Sequence, residues 1–154
     1  MSEKISVNIA ECRVAEGNSI LESIGVGSCV VVCLYDAEKK IGGLAHILLP
    51  GRKSSHEKNP LRFAHSALDA LIGQMRSLGC RRIVAKIFGG ASMFPTVQSS
   101  IGDDNVKSAR KKLHAENIQI RAEDVGGSQG RSIWFEISTG RVVVGKVYGE
   151  TKEY

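Results

Sequence analysis

The chain has no apolar run approaching the roughly 20 residues of a membrane-spanning helix. Its opening, MSEKISVNIAEC, alternates and carries charge, so it does not read as a signal peptide. A cytoplasmic protein with no membrane insertion is expected. Aromatic residues make up only 5% of the chain, which leaves little stacking platform for nucleic acid. The net charge is +5, yet the basic residues are scattered, with one pair at Arg81 and Arg82 and a cluster from Arg110 to Lys112. Nucleic acid is therefore not an expected partner, and an acidic protein surface would use the same charge equally well. None of the four cysteines, Cys12, Cys29, Cys33 and Cys80, belongs to a CxxC pair, and no second pair completes a zinc set. In a cytoplasmic setting they read as reduced thiols. Cys29 and Cys33 fall roughly 13 Å apart along a strand, too far to chelate one ion. Metal is not expected. The segments FGGASMF and DVGGSQGR are loop-forming, but neither is a GxGxxG turn before a helix or a Walker loop, so a phosphate site is disfavoured.

What remains is an ordinary globular composition, 42% hydrophobic and 24% charged, over 154 residues, consistent with one domain spanning 1–154. Alternation of Ile5, Val7 and Ile9 predicts a first strand through ISVNIAECRV. Val30 to Tyr35 is apolar on both faces and predicts a central strand. DAEKK is a polar turn, and IGGLAHILLP predicts the next strand. Asn59 and Pro60 open a helix whose stripe is Leu61, Ala64, Leu68, Leu71, Ile72, Met75 and Leu78, with Gly79 ending it. Arg62, His65, Asp69 and Arg76 take the water side. RRIVAKIF is a further strand. A second helix is predicted from about Asp103 or Asp104 to Glu116, followed by a strand in IQIRAEDV. Thr139-Gly140 marks a hairpin between RSIWFEIS and RVVVGKVY. About seven strands and two helices give an α+β fold, with sheets and outside helices.

The stretch GVGSCVVVCLYD places Cys29 behind glycines at the mouth of an apolar strand. A cysteine is a nucleophile only as thiolate, so it needs a base nearby. Of the four histidines, His56 lies in a polar loop, and His65 and His114 fall on exposed helix faces or edges. His46 sits in the strand after the cysteine strand. If Tyr35 pairs with Lys40 across the turn, Cys29 lies directly opposite His46, where Cβ atoms are about 4.5–5.5 Å apart. Two readings stand at this point. Cys29 and His46 are a nucleophile and its base, or they are a buried cysteine and a satisfied core histidine that happen to be neighbours. Gly25 and Gly27, and Gly42 and Gly43 beside His46, give room for close approach. A tight turn before Cys29 can also aim backbone N–H groups at a developing oxyanion.

The segments GVGSCVVVCLYD, GGLAHILLP, FGGASMF and AEDVGGSQGRSIWFEISTGRVVV, in this order and spacing, resemble CheD, the chemoreceptor glutamine deamidases of bacterial and archaeal chemotaxis. The resemblance runs from the first strand to about Val147. It implies Cys29 of the GSC motif as nucleophile and His46 of the GGxAH motif as base. It implies Ser23 as third member, where the family normally carries threonine; the hydroxyl is kept and the methyl that restricts its rotamer is lost. A second departure is Asp104, where the family more often has arginine. Gly27, Ser28 and Gly43 are the candidate substrate-binding positions. The implied fold is a β-sandwich-like core of mixed sheets flanked by two main helices, similar to the cytotoxic necrotizing factor catalytic domain. The implied activity is that of a protein-glutamine glutaminase needing no cofactor. Its partners would be the cytoplasmic domains of chemoreceptors (methyl-accepting chemotaxis proteins) and, for some members, a CheC-type phosphatase. A dyad cysteine would alkylate fast below its free pKa of about 8.5. The competing class is a non-enzymatic module that docks on receptors or on a CheC-type phosphatase. An unrelated cysteine hydrolase of small amides would need a deep, closed pocket.

Overall fold

The structure, a computed structural model, describes residues 2–52, 58–92 and 101–154. His56, and Met93 and Phe94 of the FGGASMF loop, lie outside the described residues.

Among the described residues, ten strands form two five-stranded sheets. The first sheet contains β1 (Glu3–Ser6), β3 (Ser19–Val26), β8 (Arg131–Glu136), β9 (Val142–Lys146) and β10 (Lys152–Glu153), in that spatial order. The second runs β2 (Cys12–Glu16), β5 (Ile41–Ile47), β4 (Val30–Asp36), β6 (Ile83–Gly89) and β7 (Gln119–Val125). Both are mixed: β1 lies parallel to β3 and β6 parallel to β7, and the remaining pairs are antiparallel. A short 3-10 helix (Pro60–Arg62) leads into α1 (Ala64–Ser77), and α2 is Ile101–Ala115. No helix among the described residues is long and apolar enough to cross a membrane.

The central strand explains the layering. Every residue of β4 is buried. Val30, Val32 and Leu34 face α1 and α2, where Leu68, Leu71, Ile72, Met75, Val106 and Leu113 cover them. Val31, Cys33 and Tyr35 face the other way and meet Leu21, Ile133, Phe135 and Val142 of the first sheet. The second sheet is therefore packed on both faces, with helices outside and the first sheet inside, as a continuous apolar run requires. The α+β class with two main helices is as the sequence predicts.

Three local expectations change. The first predicted strand is two strands. The chain leaves β1 at Ser6, crosses from one sheet to the other through Val7–Glu11, and enters β2 at Cys12, with Ala10 in the left-handed region at φ 65°. β3 has no counterpart in the sequence reading, because its buried face carries Ser23 while Ile24 on the other side is 61% exposed. Asn59 caps the 3-10 helix, with its Oδ1 accepting from Leu61 N–H at 3.1 Å, and α1 proper begins after Phe63.

The β4–β5 hairpin is also set differently. Asp36, not Tyr35, closes the turn, and it pairs with Ile41. The Asp36 carboxylate accepts from Lys39 N–H at 3.0 Å, and Lys40 takes a positive φ of 53°, which turns the chain within Ala37–Lys40. His46 thus stands opposite Val31, and Cys29 lies two residues before that position, just outside the strand. An even shift leaves the faces unchanged. Cys29 and His46 are placed diagonally instead of directly opposite.

Candidate active site

Cys29 and His46 open onto one cavity of about 600 Å³ at the end of the sandwich. Its walls include Val7 and Asn8 from the β1–β2 crossing, Gly25 from β3, and Gly27 and Ser28 from the turn before β4. Ile9 and Ile24, 52% and 61% exposed, also line it and give it an apolar rim. The cavity is open at the surface and is not a closed pocket for a small amide. Cys29 is 7% exposed and His46 4%, so both side chains are sheltered at its floor.

The imidazole is held from behind. His46 N–H donates to Glu11 O at 3.0 Å, and Ala10 N–H donates to His46 O at 2.9 Å, which ties β5 to the crossing segment. The ring's Nδ1 lies 3.1 Å from the carbonyl oxygen of Val7. A carbonyl can only accept, so Nδ1 carries the proton and the neutral ring presents a bare lone pair at Nε2. Nε2 is buried and has no hydrogen-bond partner among the described residues, Cys29 included.

Ser23 also meets the carbonyl of Val7, its Oγ donating at 2.8 Å. It does not bond the imidazole. Its reach to the ring passes through the shared acceptor. Ser23 is brought inward by β3, which carries a bulge between Ser23 and Val26 and whose Gly25 N–H donates to Ser132 Oγ at 3.1 Å.

Burial dominates the electrostatics. It pushes the Cys29 thiol above its ordinary value. It pushes His46 below its ordinary 6.5, outweighing the opposing effects of the Val7 carbonyl and the Glu11 charge. Both shifts favour the uncharged forms, thiol and neutral imidazole, over thiolate and imidazolium.

The glycines divide. Gly27 and Ser28 line the cavity. Gly43 does not: a Cβ there would meet Leu71 Cδ1 at 2.8 Å, so it serves the packing of α1 on the helix side of β5. Gly42 is likewise filled against Phe135 and Ile137 in the core between the sheets. The glycine that matters near the thiol is Gly89. It has φ 104°, and a Cβ there would stand 2.4 Å from the Cys29 carbonyl oxygen. Only glycine lets β6 end this close to the cysteine turn.

Cys12, Cys33 and Cys80 are free thiols away from the cavity. His65 and His114 stand on α1 and α2, outside the cavity walls. Two residues at the site escape the sequence reading. Val7 acts through its carbonyl, which no side-chain pattern reveals. Asn105 on α2 holds the turn before Cys29, and its signal is a polar residue inside the buried stripe with Val106, Ala109 and Leu113.

A family model described as CheD chemotactic sensory transduction matches residues 48–146. A probable chemoreceptor glutamine deamidase CheD from Pyrococcus abyssi (strain GE5 / Orsay) is 40% identical over 155 residues, covering 97% of this chain and 95% of that protein. This chain belongs to the CheD family. A second probable chemoreceptor glutamine deamidase CheD, from Clostridium botulinum (strain Hall / ATCC 3502 / NCTC 13319 / Type A), is 41% identical over 158 residues, 98% of each chain. That from Pyrococcus horikoshii is 40% identical over 151 residues, 94% of this chain and 93% of its own. The CheD family model begins at residue 48, just beyond His46, so Cys29 and His46 fall within the span matched by these relatives and not within the family model.

Proposed function

We propose that this chain is a chemoreceptor glutamine deamidase that hydrolyses glutamine side-chain amides to glutamate and ammonia, with Cys29 as nucleophile and His46 as base. The observation that carries the reading is the unpartnered Nε2 of His46, whose ring is fixed by the Val7 carbonyl, in the same cavity as the Cys29 thiol. The near-full-length CheD relatives supply the substrate.

In this mechanism the substrate side chain enters the open cavity and its carbonyl carbon approaches Sγ. His46 Nε2 takes the thiol proton as the C–S bond forms, so a thiol that is neutral at rest becomes nucleophilic only in the complex. The carbonyl π electrons pass to oxygen, which the N–H groups of Ser28 and Cys29 stabilise. Nε2–H then donates to the amide nitrogen, the C–N bond breaks, and ammonia leaves. Water, deprotonated by the same Nε2, attacks the thioester carbonyl. The C–S bond breaks and the proton returns to sulfur. Ser23 acts as a positioning residue, holding the Val7 carbonyl that holds the ring. No step calls for a metal or an organic cofactor.

The open mouth and the apolar rim of Ile9 and Ile24 fit a folded helical receptor better than a small amide. The same reading places the protein in the cytoplasm as one domain and includes a CheC-type phosphatase as a second partner. It also carries the likeness to the cytotoxic necrotizing factor catalytic domain, which the sandwich with helices on one outer face supports.

The test is mass spectrometry of receptor cytoplasmic fragments incubated with the protein. Glutamine-to-glutamate conversion with matching ammonia release is expected, and both should vanish in Cys29→Ala. Conversion at the parent rate in Cys29→Ala rules the mechanism out. No conversion by the parent protein favours a module that acts by docking alone.

A further inference from the structure

The turn that carries Cys29 is gripped on one side through three successive carbonyls. Gly27 O accepts from Ala91 N–H at 2.9 Å, and Cys29 O accepts from Gly90 N–H at 2.8 Å. Between them, Ser28 O accepts from the side-chain amide of Asn105 at 3.0 Å. The same Nδ2 also donates to Leu48 O at 3.0 Å. Leu48 follows β5, the strand of His46, so one amide spans the nucleophile's turn and the end of the base's strand.

Asn105 is fully buried on α2 and is absent from the cavity wall. Its orientation is forced, because a flipped amide would set Oδ1 against two carbonyl oxygens. Oδ1 itself has no partner among the described residues. The backbone beneath is equally fixed. A Cβ on Gly102 of α2 would lie 2.6 Å from Gly90 O and Ala91 O, so the helix rests directly on the Gly90–Ala91 segment.

The described residues contain no cis peptide, and in a trans peptide the C=O and the following N–H point in opposite directions. Pulling Ser28 O toward α2 therefore turns Cys29 N–H away from α2. We propose that Asn105 is a positioning residue for the oxyanion-binding peptide: by holding the Ser28 carbonyl it aims the Cys29 N–H at the substrate's carbonyl oxygen. This rests on the amidohydrolase reading above.

The experiment compares the full chain with Asn105→Ala and Asn105→Ser. Two quantities are followed: ammonia release from receptor cytoplasmic fragments, and alkylation of Cys29 by iodoacetamide. Alkylation is displacement at a saturated carbon and develops no oxyanion. In Asn105→Ala, kcat should fall about tenfold to a hundredfold, less than the roughly 10²–10³ lost when an oxyanion donor is deleted outright. KM and the alkylation rate should stay within about threefold of the parent, the pattern of a lost transition-state interaction. Asn105→Ser keeps a shorter donor and should recover part of kcat. A folded Asn105→Ala with parental kcat overturns the proposal. So does a parallel loss of alkylation, which would mean that the Cys29–His46 pair itself had collapsed, and so does failure of both variants to give a cooperative unfolding transition, which would make Asn105 purely structural. An inactive parent removes the amidohydrolase reading and this proposal together, whereas an active parent with an indifferent Asn105 removes only the latter.

Discussion

Ser23 Oγ and His46 Nδ1 converge on a single acceptor, the carbonyl of Val7, at 2.8 and 3.1 Å. Ser23 and the His46 ring are therefore linked through the main chain and not by a direct bond. Only the hydroxyl of Ser23 is used in its bond to Val7. The methyl of threonine would add a rotamer restraint.

The first prediction concerns this relay. Ser23→Ala removes one of the two donors on the Val7 carbonyl but leaves the His46 bond in place. Deamidation should drop by roughly twofold to tenfold, since a neutral hydrogen bond contributes about 0.5–1.5 kcal/mol. Ser23→Thr should match or exceed the parent. Steady-state rates on receptor fragments give the comparison. A loss as large as that of Cys29→Ala would mean that Ser23 touches the reacting groups directly.

The route to this site shows what a sequence exposes and what it hides. Both faces of β4, the α1 stripe from Ala64 to Met75 and the Thr139-Gly140 hairpin follow from periodicity and are present in the structure, whereas Leu78, placed in the same stripe, is 50% exposed. Cys29 and His46 come out on one face because a two-residue shift in the hairpin preserves parity. The shift itself depends on the Asp36 carboxylate capping Lys39 N–H, a local bond that competes with simple strand pairing. β3 is hidden because its function inverts its pattern, with Ser23 inside and Ile24 at the rim of the cavity. Val7 acts through its own carbonyl, which leaves no signature in residue spacing, and Asn105 shows only as a polar residue inside the buried stripe of α2.

The pH dependence separates two kinds of cysteine site. Burial lowers His46 below 6.5, so the base stays neutral and competent under mildly acidic conditions. The acid limb of kcat/KM, which reports the free enzyme, should therefore lie below pH 6.5. Burial raises Cys29, so alkylation of the free protein by iodoacetamide should have its midpoint above that of an unstructured cysteine peptide run alongside. A plateau of fast alkylation from about pH 6, as expected of a thiolate–imidazolium pair, contradicts the neutral resting state.

The last prediction tests the hinge of the register. Asp36 is 1% exposed and joins two turns, accepting from Lys39 N–H at Oδ1 and from Arg81 and Arg82 N–H at Oδ2, at 3.0, 3.0 and 3.3 Å. Burial favours the protonated form, but the backbone donors of Lys39, Arg82, Arg81 and Glu38 outweigh it and hold the carboxyl below its ordinary 3.8. A depressed carboxylate contributes stability above its unfolded pKa of about 3.9, and that contribution fades as pH falls through the folded value. Asp36→Asn has nearly the same volume but turns an NH₂ toward backbone donors. It should lose about 1–3 kcal/mol at neutral pH, the cost of stranding hydrogen bonds to a charged group. Urea unfolding at pH 7 and at stepped acid pH provides the measurement. The gap between parent and variant should be full at pH 7 and narrow below about pH 4. A gap that is constant down to strongly acid pH would show that the ionised carboxylate does not hold the two turns.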